Sequence, residues 1–337
     1  MRLRVLGIET SCDDTSLALF SRQRGVVGNL TANQLTHDKY GGVVPEIASR
    51  EHIRNLLPVF EALLDRCDFT SKDIEGIGVS NGPGLIGSLL VGVSFAKALA
   101  LALGVPIVGV HHLEAHILSN EIEGGELRTP CVVLVVSGGH TSLYHVDRVG
   151  CYQLVGNTRD DAAGECFDKV AKLLDLGFPG GPAIERVATN GDPQAVRFPR
   201  AMMVRGNLDF SFSGLKTAVR LHVESVSRLD EKIIADLAAS AQEAIVDVLV
   251  EKTIACAKAQ GVANVYLAGG VAANTPLRSR MASYSEQEGM DYHAPLLQYC
   301  TDNGAMVACA AARHLARGRD DGTSLDVFAR GPIVSWS

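Results

Sequence analysis

The chain has 337 residues, enough for about two domains with large cores. An apolar content of 47% with 20% charged residues excludes a disordered or solvating tail. The net charge of −7 excludes a surface coated in positive charge, so a nucleic-acid partner has to be held by a local basic patch.

Arg4 to Glu9 reads as a buried strand and Thr15 to Phe20 as a second, with Ser11-Cys12-Asp13-Asp14 as the turn. Glu46 to Cys67 is helix-patterned. Ile74 to Ser80 is a strand, followed by a glycine turn and an apolar helix over Leu85 to Leu103. Val105 to Val110 is another strand, and His111 starts a helix. In the second half, Val132 to Val136 is an apolar strand, Ser137-Gly138-Gly139-His140 a turn, and Thr141 to Val146 a returning strand. Helices follow over Asp161 to Leu174 and Glu231 to Ala259. Then come a strand over Asn264 to Leu267 and helices near 274–283 and 303–316. Pro193 to Asn207 reads as a surface excursion. Alternating strand and helix give an α/β class.

The two hairpins resemble each other: Thr15-Ser16-Leu17 recurs as Thr141-Ser142-Leu143, 126 positions later. Two such lobes would enclose a cleft with both turns facing it; the alternative is a coincidental match between two common hairpins. The division predicted is 1–125 for an N-terminal lobe and 126–337 for a C-terminal lobe, with the last helix packing back toward the first. None of the eight cysteines forms a Cys-x-x-Cys pair, which predicts reduced thiols in a cytosolic protein. The first residues lack a signal-peptide core before Glu9. Gly76 to Ala96 carries no charge, but Asn81-Gly82-Pro83-Gly84 interrupts it as a turn, which excludes one continuous spanning helix. A soluble, cytoplasmic protein without membrane association is expected.

Several motifs carry chemistry. Ser137-Gly138-Gly139 and Gly269-Gly270 follow buried strands and offer backbone N–H groups to a phosphate, or else are ordinary strand-ending glycines. Asn274, in the first turn of the next helix, can reach a ribose or base. Gly82-Pro83-Gly84-Leu85-Ile86-Gly87 matches Gly-x-Gly-x-x-Gly but lacks the acidic residue a dinucleotide site needs, so close helix packing is its reading. His112 and His116 share a helix face and can bind one metal. Glu114 lies about 200° around the helix from His112, poorly placed as the base of a zinc protease. Asp302 is a candidate third ligand, or an N-cap of the last helix. Glu165 with Lys169 and Asp168 with Lys172 make i,i+4 pairs on a solvated face, or else Asp168 accepts hydrogen bonds from a ligand, with Gly180-Gly181 leaving room. Asp209 to Lys216 reads as strand or turn, with Arg197, Arg200, Arg205 and Lys216 as a basic patch.

In order, the segments Gly7 to Asp13, Gly41 to Glu46, His111 to His116, Val135 to His140, Asp161 to Lys169, Asp209 to Lys216, Ala268 to Asn274 and Cys300 to Met306 resemble the universal tRNA threonylcarbamoyladenosine transferase family in its bacterial form, once described as a glycoprotease. The resemblance spans nearly the whole chain. It implies a two-lobed actin-like, Hsp70-like, sugar-kinase-like fold around a nucleotide cleft. It implies transfer of threonylcarbamoyl from threonylcarbamoyl-AMP to N6 of adenosine 37, in tRNAs reading codons that start with A. By position, His112, His116 and Asp302 would bind one divalent metal, iron or zinc. Val135, Val136, Ser137, Gly138, Gly139, Asp168, Gly181 and Asn274 would hold the adenylate, with Asp13 beside the reacting group. Asp14 stands where relatives often carry Glu, and Glu185 where some carry Asp. Implied partners are a smaller paralogous subunit and a small P-loop ATPase. A metal-dependent protein hydrolase and a non-catalytic nucleotide-binding scaffold are the alternatives.

Overall fold

A computed structural model describes residues 3–34 and 42–336 of the chain. Gly41 of the Gly41 to Glu46 segment lies outside the described residues. The chain groups into two compact units, Met1–Leu127 with Pro295–Ile333, and Arg128–Ala294 with Val334–Ser337. The division at 125/126 assigned residues 295–333 to the second lobe, with the last helix packing back toward the first; by contacts the whole stretch groups with the first unit.

In the first unit, β1 (Arg4–Glu9), β2 (Thr15–Ser21) and β3 (Gly25–Ala32) run antiparallel. β4 (Gly76–Gly82) adds parallel to β1, and β5 (Ile107–His111) parallel to β4, giving the order β3-β2-β1-β4-β5. Helices α1 (Pro45–Cys67) and α2 (Ile86–Leu103) join Leu6 and Ile8 of β1 in one apolar core with Leu56, Phe60, Val93 and Ala96. Successive strand residues point to opposite faces. Gly7, between Leu6 and Ile8, therefore faces the other way, onto α10 (Gly304–Ala316). A Cβ at Gly7 would overlap the Gly304 carbonyl and the Ala308 amide, so α10 rests on the sheet at backbone contact. This close approach seats α10 on β1, β2 and β4.

α2 is long and apolar enough to cross a membrane by length and composition. It begins only after the β4 strand and the turn at 83–85, as the interruption in the sequence predicted, and it packs on α1 and β4. α3 (His112–Leu118) and α4 (Glu121–Gly124) follow β5.

The second unit repeats the plan. β6 (Cys131–Val136), β7 (Thr141–Arg148) and β8 (Cys151–Asn157) run antiparallel, with β9 (Asn264–Ala268) parallel to β6 and β10 (Asp291–His293) parallel to β9. The order β8-β7-β6-β9-β10 is that of the first sheet. Its helices are α5 (Ala163–Leu173), α6 (Gly180–Ala188), α7 (Ser213–Ser225), α8 (Glu231–Gln260) and α9 (Thr275–Gln287). The duplication extends to register. Ile8 pairs with Leu17 and Glu9 with Ser16; Leu134 pairs with Leu143 and Val135 with Ser142.

The 209–216 segment differs from its strand-or-turn reading, because α7 starts at Ser213. Asp160 makes that start: its carboxylate accepts from the Phe212 amide and from the hydroxyls of Ser211 and Ser213. Residues 193–207 form turns and irregular chain. Lys252 of α8 pins them by donating to the carbonyls of Met202 and Asn207, at 2.8 and 2.7 Å.

Candidate functional site

The first cluster forms where β5 passes into α3. His111 sits at the N-cap, its Nδ1 accepting from the Leu113 amide. His112 and His116 follow one turn apart on a buried helix, their rings 4.7 Å between centroids. Asp302 arrives from the segment before α10. The N-cap of α10 is Asn303, whose side chain accepts from the Met306 amide, so the capping role considered for Asp302 falls to its neighbour. Asp302 Oδ1 lies 3.0 Å from His116 Nε2 and 3.6 Å from His112 Nε2. One ligand atom from each of the three residues lies within 4.8 Å of the others.

Two imidazoles and a carboxylate are a donor set suited to zinc or non-haem iron. The rest of the site fits a cation. His112 Nδ1 is held 3.1 Å from Glu9 Oε2 and 3.1 Å from Ser11 Oγ, which turns Nε2 toward Asp302. Burial opposes a charge on His112, but Asp302 and Glu9 outweigh it and lift its pKa to about 9.

Asp13 and Asp14 lie on the turn between β1 and β2. Burial, together with repulsion from Asp13 and Asp302, lifts Asp14 to about 7, against a hydrogen bond from Asn33. Burial and Asp13 hold the Cys12 thiol well above its ordinary pKa, which leaves it a poor nucleophile. His52 of α1 ties the turn down: Nδ1 lies 2.8 Å from Thr15 Oγ1 and Nε2 lies 3.0 Å from the Cys12 carbonyl. Glu114 points away from the ligands and bonds His314 Nε2 of α10 at 2.9 Å, as its helical position requires. It is therefore no general base for a hydrolase.

The second cluster lies within the second unit. The Ser137–His140 turn is closed by the Ser137 amide donating to the His140 carbonyl at 2.8 Å. It packs on the start of α5, where the Gly164 amide donates to the Ser137 carbonyl. Gly138 and Gly139 have open space where a side chain would stand. Gly269 has φ +91°, and its missing Cβ lets β9 end against the Val136 carbonyl. Asp168 of α5 accepts from the Gly180 amide at the start of α6, at 2.7 Å. Burial raises its pKa. The predicted Asp168–Lys172 pair is replaced by this bond; the Glu165–Lys169 pair forms at 2.8 Å. Gly181 has open space beside it.

Asn274 is the N-cap of α9 rather than a residue of its first turn. Its Oδ1 accepts from the Leu277 amide and its Nδ2 donates to Glu185 and Gln242. Both of its functional atoms are thus engaged by the protein. Gln242 is a polar partner the sequence did not signal, being one among many polar residues on the long helix α8. Of the four residues read as a basic patch, Arg200 is paired: it binds Asp247, which also takes Arg280.

The chain is similar to known proteins over nearly all of its length. Residues 25–309 match the family of tRNA N6-adenosine threonylcarbamoyltransferases. A tRNA N6-adenosine threonylcarbamoyltransferase of Ralstonia pickettii is 50% identical, over 98% of this chain and 96% of its own. One from Syntrophus aciditrophicus is 49% identical, over 98% and 97%. Among solved structures, HypF of T. kodakarensis superposes with a TM-score of 0.62 at 16% identity, over 94% of this chain and 48% of its own. The ADPNP-bound activator of the 2-hydroxyisocaproyl-CoA dehydratase from Clostridium difficile gives 0.54 at 13%, over 94% and 97%. The two sheets and these neighbours make the fold that of actin-like ATPases. The chain belongs to the tRNA N6-adenosine threonylcarbamoyltransferase family, and it is a transferase acting on tRNA.

Proposed function

We infer that the chain transfers threonylcarbamoyl from threonylcarbamoyl-AMP to N6 of adenosine 37, in tRNAs reading codons that start with A, and releases AMP. The observation that carries this beyond the family is the convergence of His112, His116 and Asp302 on one small volume, beside the turn bearing Asp13. In this reading the three residues hold one divalent metal, iron or zinc. When bound, such a metal supplies Lewis acidity and holds oxygens of the transferred group.

The donor is a mixed carbamic–phosphoric anhydride, already activated at its carbonyl. The N6–C bond forms, the bond from that carbon to the phosphate oxygen breaks, and a proton leaves N6. Asp13 is the group assigned to receive that proton. No covalent enzyme intermediate is required, in keeping with the protonated Cys12 thiol. The open backbone at Gly138 and Gly139 suits a phosphate, and Gly181 leaves room for the nucleoside. Asp168 has acceptor capacity beyond its bond to Gly180. Val135 and Val136 carry the turn, and Asn274 supports the site through Glu185 and Gln242.

The partners in this reading are a smaller paralogous subunit and a small P-loop ATPase. Exposed Ile53 and Leu57 on α1, with Ile86 and Leu90 on α2, are apolar surface of the kind a protein partner covers. The eight cysteines are free, which suits the reducing cytoplasm proposed as its place. The test is reconstitution with both partners, a synthase making the donor, and unmodified tRNA, followed by nucleoside mass spectrometry. A threonylcarbamoyladenosine peak that disappears when this chain is omitted is expected. No peak, in a mixture that works with a relative substituted, contradicts the reading.

A further inference from the structure

Glu9 ends β1 with a carboxylate that has no solvent exposure. The duplicated register shows what that position holds elsewhere. Glu9 pairs with Ser16 as Val135 pairs with Ser142, and Val135 is an equally buried apolar residue. The strand end therefore accommodates valine in one unit and carries a carboxylate in the unit with the His112–His116–Asp302 cluster.

A buried ionised carboxylate is costly unless donors and a countercharge meet it. Glu9 has three donors around it. The Ser11 amide reaches Oε1 at 2.6 Å, Ser80 Oγ reaches Oε2 at 2.5 Å, and His112 Nδ1 reaches Oε2 at 3.1 Å. Among the described residues no lysine or arginine forms an ion pair with it; its one ion-pair partner is His112. The opposite nitrogen of that ring faces Asp302.

We propose that Glu9 is the positioning residue of the metal centre: Oε2 accepts Nδ1–H of His112 and so fixes the tautomer whose Nε2 lone pair is presented beside Asp302. The inference rests on the metal reading of that cluster. A carboxylate can only accept at this position. A glutamine anchored by the Ser11 amide would turn its NH2 toward Nδ1, favouring the opposite tautomer and placing a proton on the ligating nitrogen. Together Glu9 and Asp302 supply two negative charges, which balance a dication.

The test titrates cobalt(II) into the metal-free full-length chain, read by visible absorption and by chelator competition, with circular dichroism as the check on folding. Glu9→Gln is the near-isosteric change. Glu9→Val installs the residue the second unit carries at this register, so it keeps the core apolar even if the glutamine variant fails to fold. Each folded variant is expected to bind cobalt at least ~10-fold more weakly than wild type. Wild-type affinity in a folded Glu9→Val or Glu9→Gln overturns the assignment. His112→Ala separates the two readings. If it loses cobalt while the Glu9 variants do not, Glu9 alone is wrong. If it binds cobalt as tightly as wild type, the metal centre is wrong and Glu9's role falls with it.

Discussion

His116 Nε2 and Asp302 Oδ1 lie 3.0 Å apart although 186 residues separate them in the chain. Two elements bring this about: α3 presents both histidines, and α10 rests on the sheet at Gly7 with Asp302 just ahead of its N-cap. Two links tie this region to α10: a buried one from Glu114 of α3 to His314, and a part-buried one from Glu121 of α4 to Arg313.

Replacing a ligand of this cluster should remove function without removing the fold. His112→Ala is expected to lower transfer by roughly 100-fold or more and to abolish stoichiometric metal binding, with an unchanged circular dichroism spectrum. Metal analysis alongside the nucleoside assay checks it. Full activity in a folded, metal-free His112→Ala would remove the metal from the account.

The α10 contact gives a second expectation. Gly7→Ala forces a methyl group onto the Gly304 carbonyl and the Ala308 amide, backbone groups that cannot swing aside. A stability loss of about 1–3 kcal/mol is expected from urea unfolding. Metal retention should weaken in the same variant, because Asp302 moves with α10. An alanine variant as stable as wild type would show that α10 is not seated this closely.

How much of this was legible in the sequence depended on whether a residue's neighbours were local. β1, β2, the Ser137–His140 turn and the His112–His116 face follow from short-range pattern, and all appear. β3 and β8 were missed because glycine and polar residues interrupt their alternation; β3 is mostly part-buried, and β8 buries only Tyr152 and Gly156. The start of α7 was hidden because its anchoring carboxylate, Asp160, lies more than fifty residues upstream. Glu9 looked like the end of an ordinary strand; Ser80 and His112, which give it meaning, lie 71 and 103 residues away. The last helix was expected to pack back toward the first lobe, and it groups there; what carried no local signal is the backbone contact at Gly7 that seats it.

Asp14 sets a pH dependence of stability in the metal-free protein. Its folded pKa of about 7 lies above the ordinary 3.8, owing first to burial and then to Asp13 and Asp302. A raised carboxyl pKa means the fold prefers the protonated form. The stability this gives is fully present below pH 3.8 and is lost as pH rises through about 7. Asp14→Asn should therefore raise the melting temperature above pH 7, with the gain shrinking toward pH 4. Melting curves across that range check it. A gain that grows on acidification would contradict the sign.

Asn274 should prove structural as well as functional. Its Oδ1 caps α9, and its Nδ2 joins Glu185 of α6 to Gln242 of α8. Asn274→Ala is expected to lose about 1–2 kcal/mol from the cap alone. Adenylate binding should weaken too, as the Asn274 links to Glu185 and Gln242 are lost, leaving the Thr275 amide as the bond to Glu185. Calorimetry with a non-hydrolysable adenylate analogue, beside urea unfolding, measures both. Weakened binding with undiminished stability would make Asn274 a direct ligand contact instead.

In this reading the chain itself moves the threonylcarbamoyl group. The most direct measurement supplies the chain and its two partners with threonylcarbamoyl-AMP labelled with carbon-13 at the carbamoyl carbon, and with tRNA bearing adenosine 37, with no synthase present. Nucleoside mass spectrometry should find the label on that adenosine, with an equal amount of AMP released, and no label when the chain carries His112→Ala. Label transfer that persists without this chain, or AMP release with no labelled nucleoside, would contradict the account.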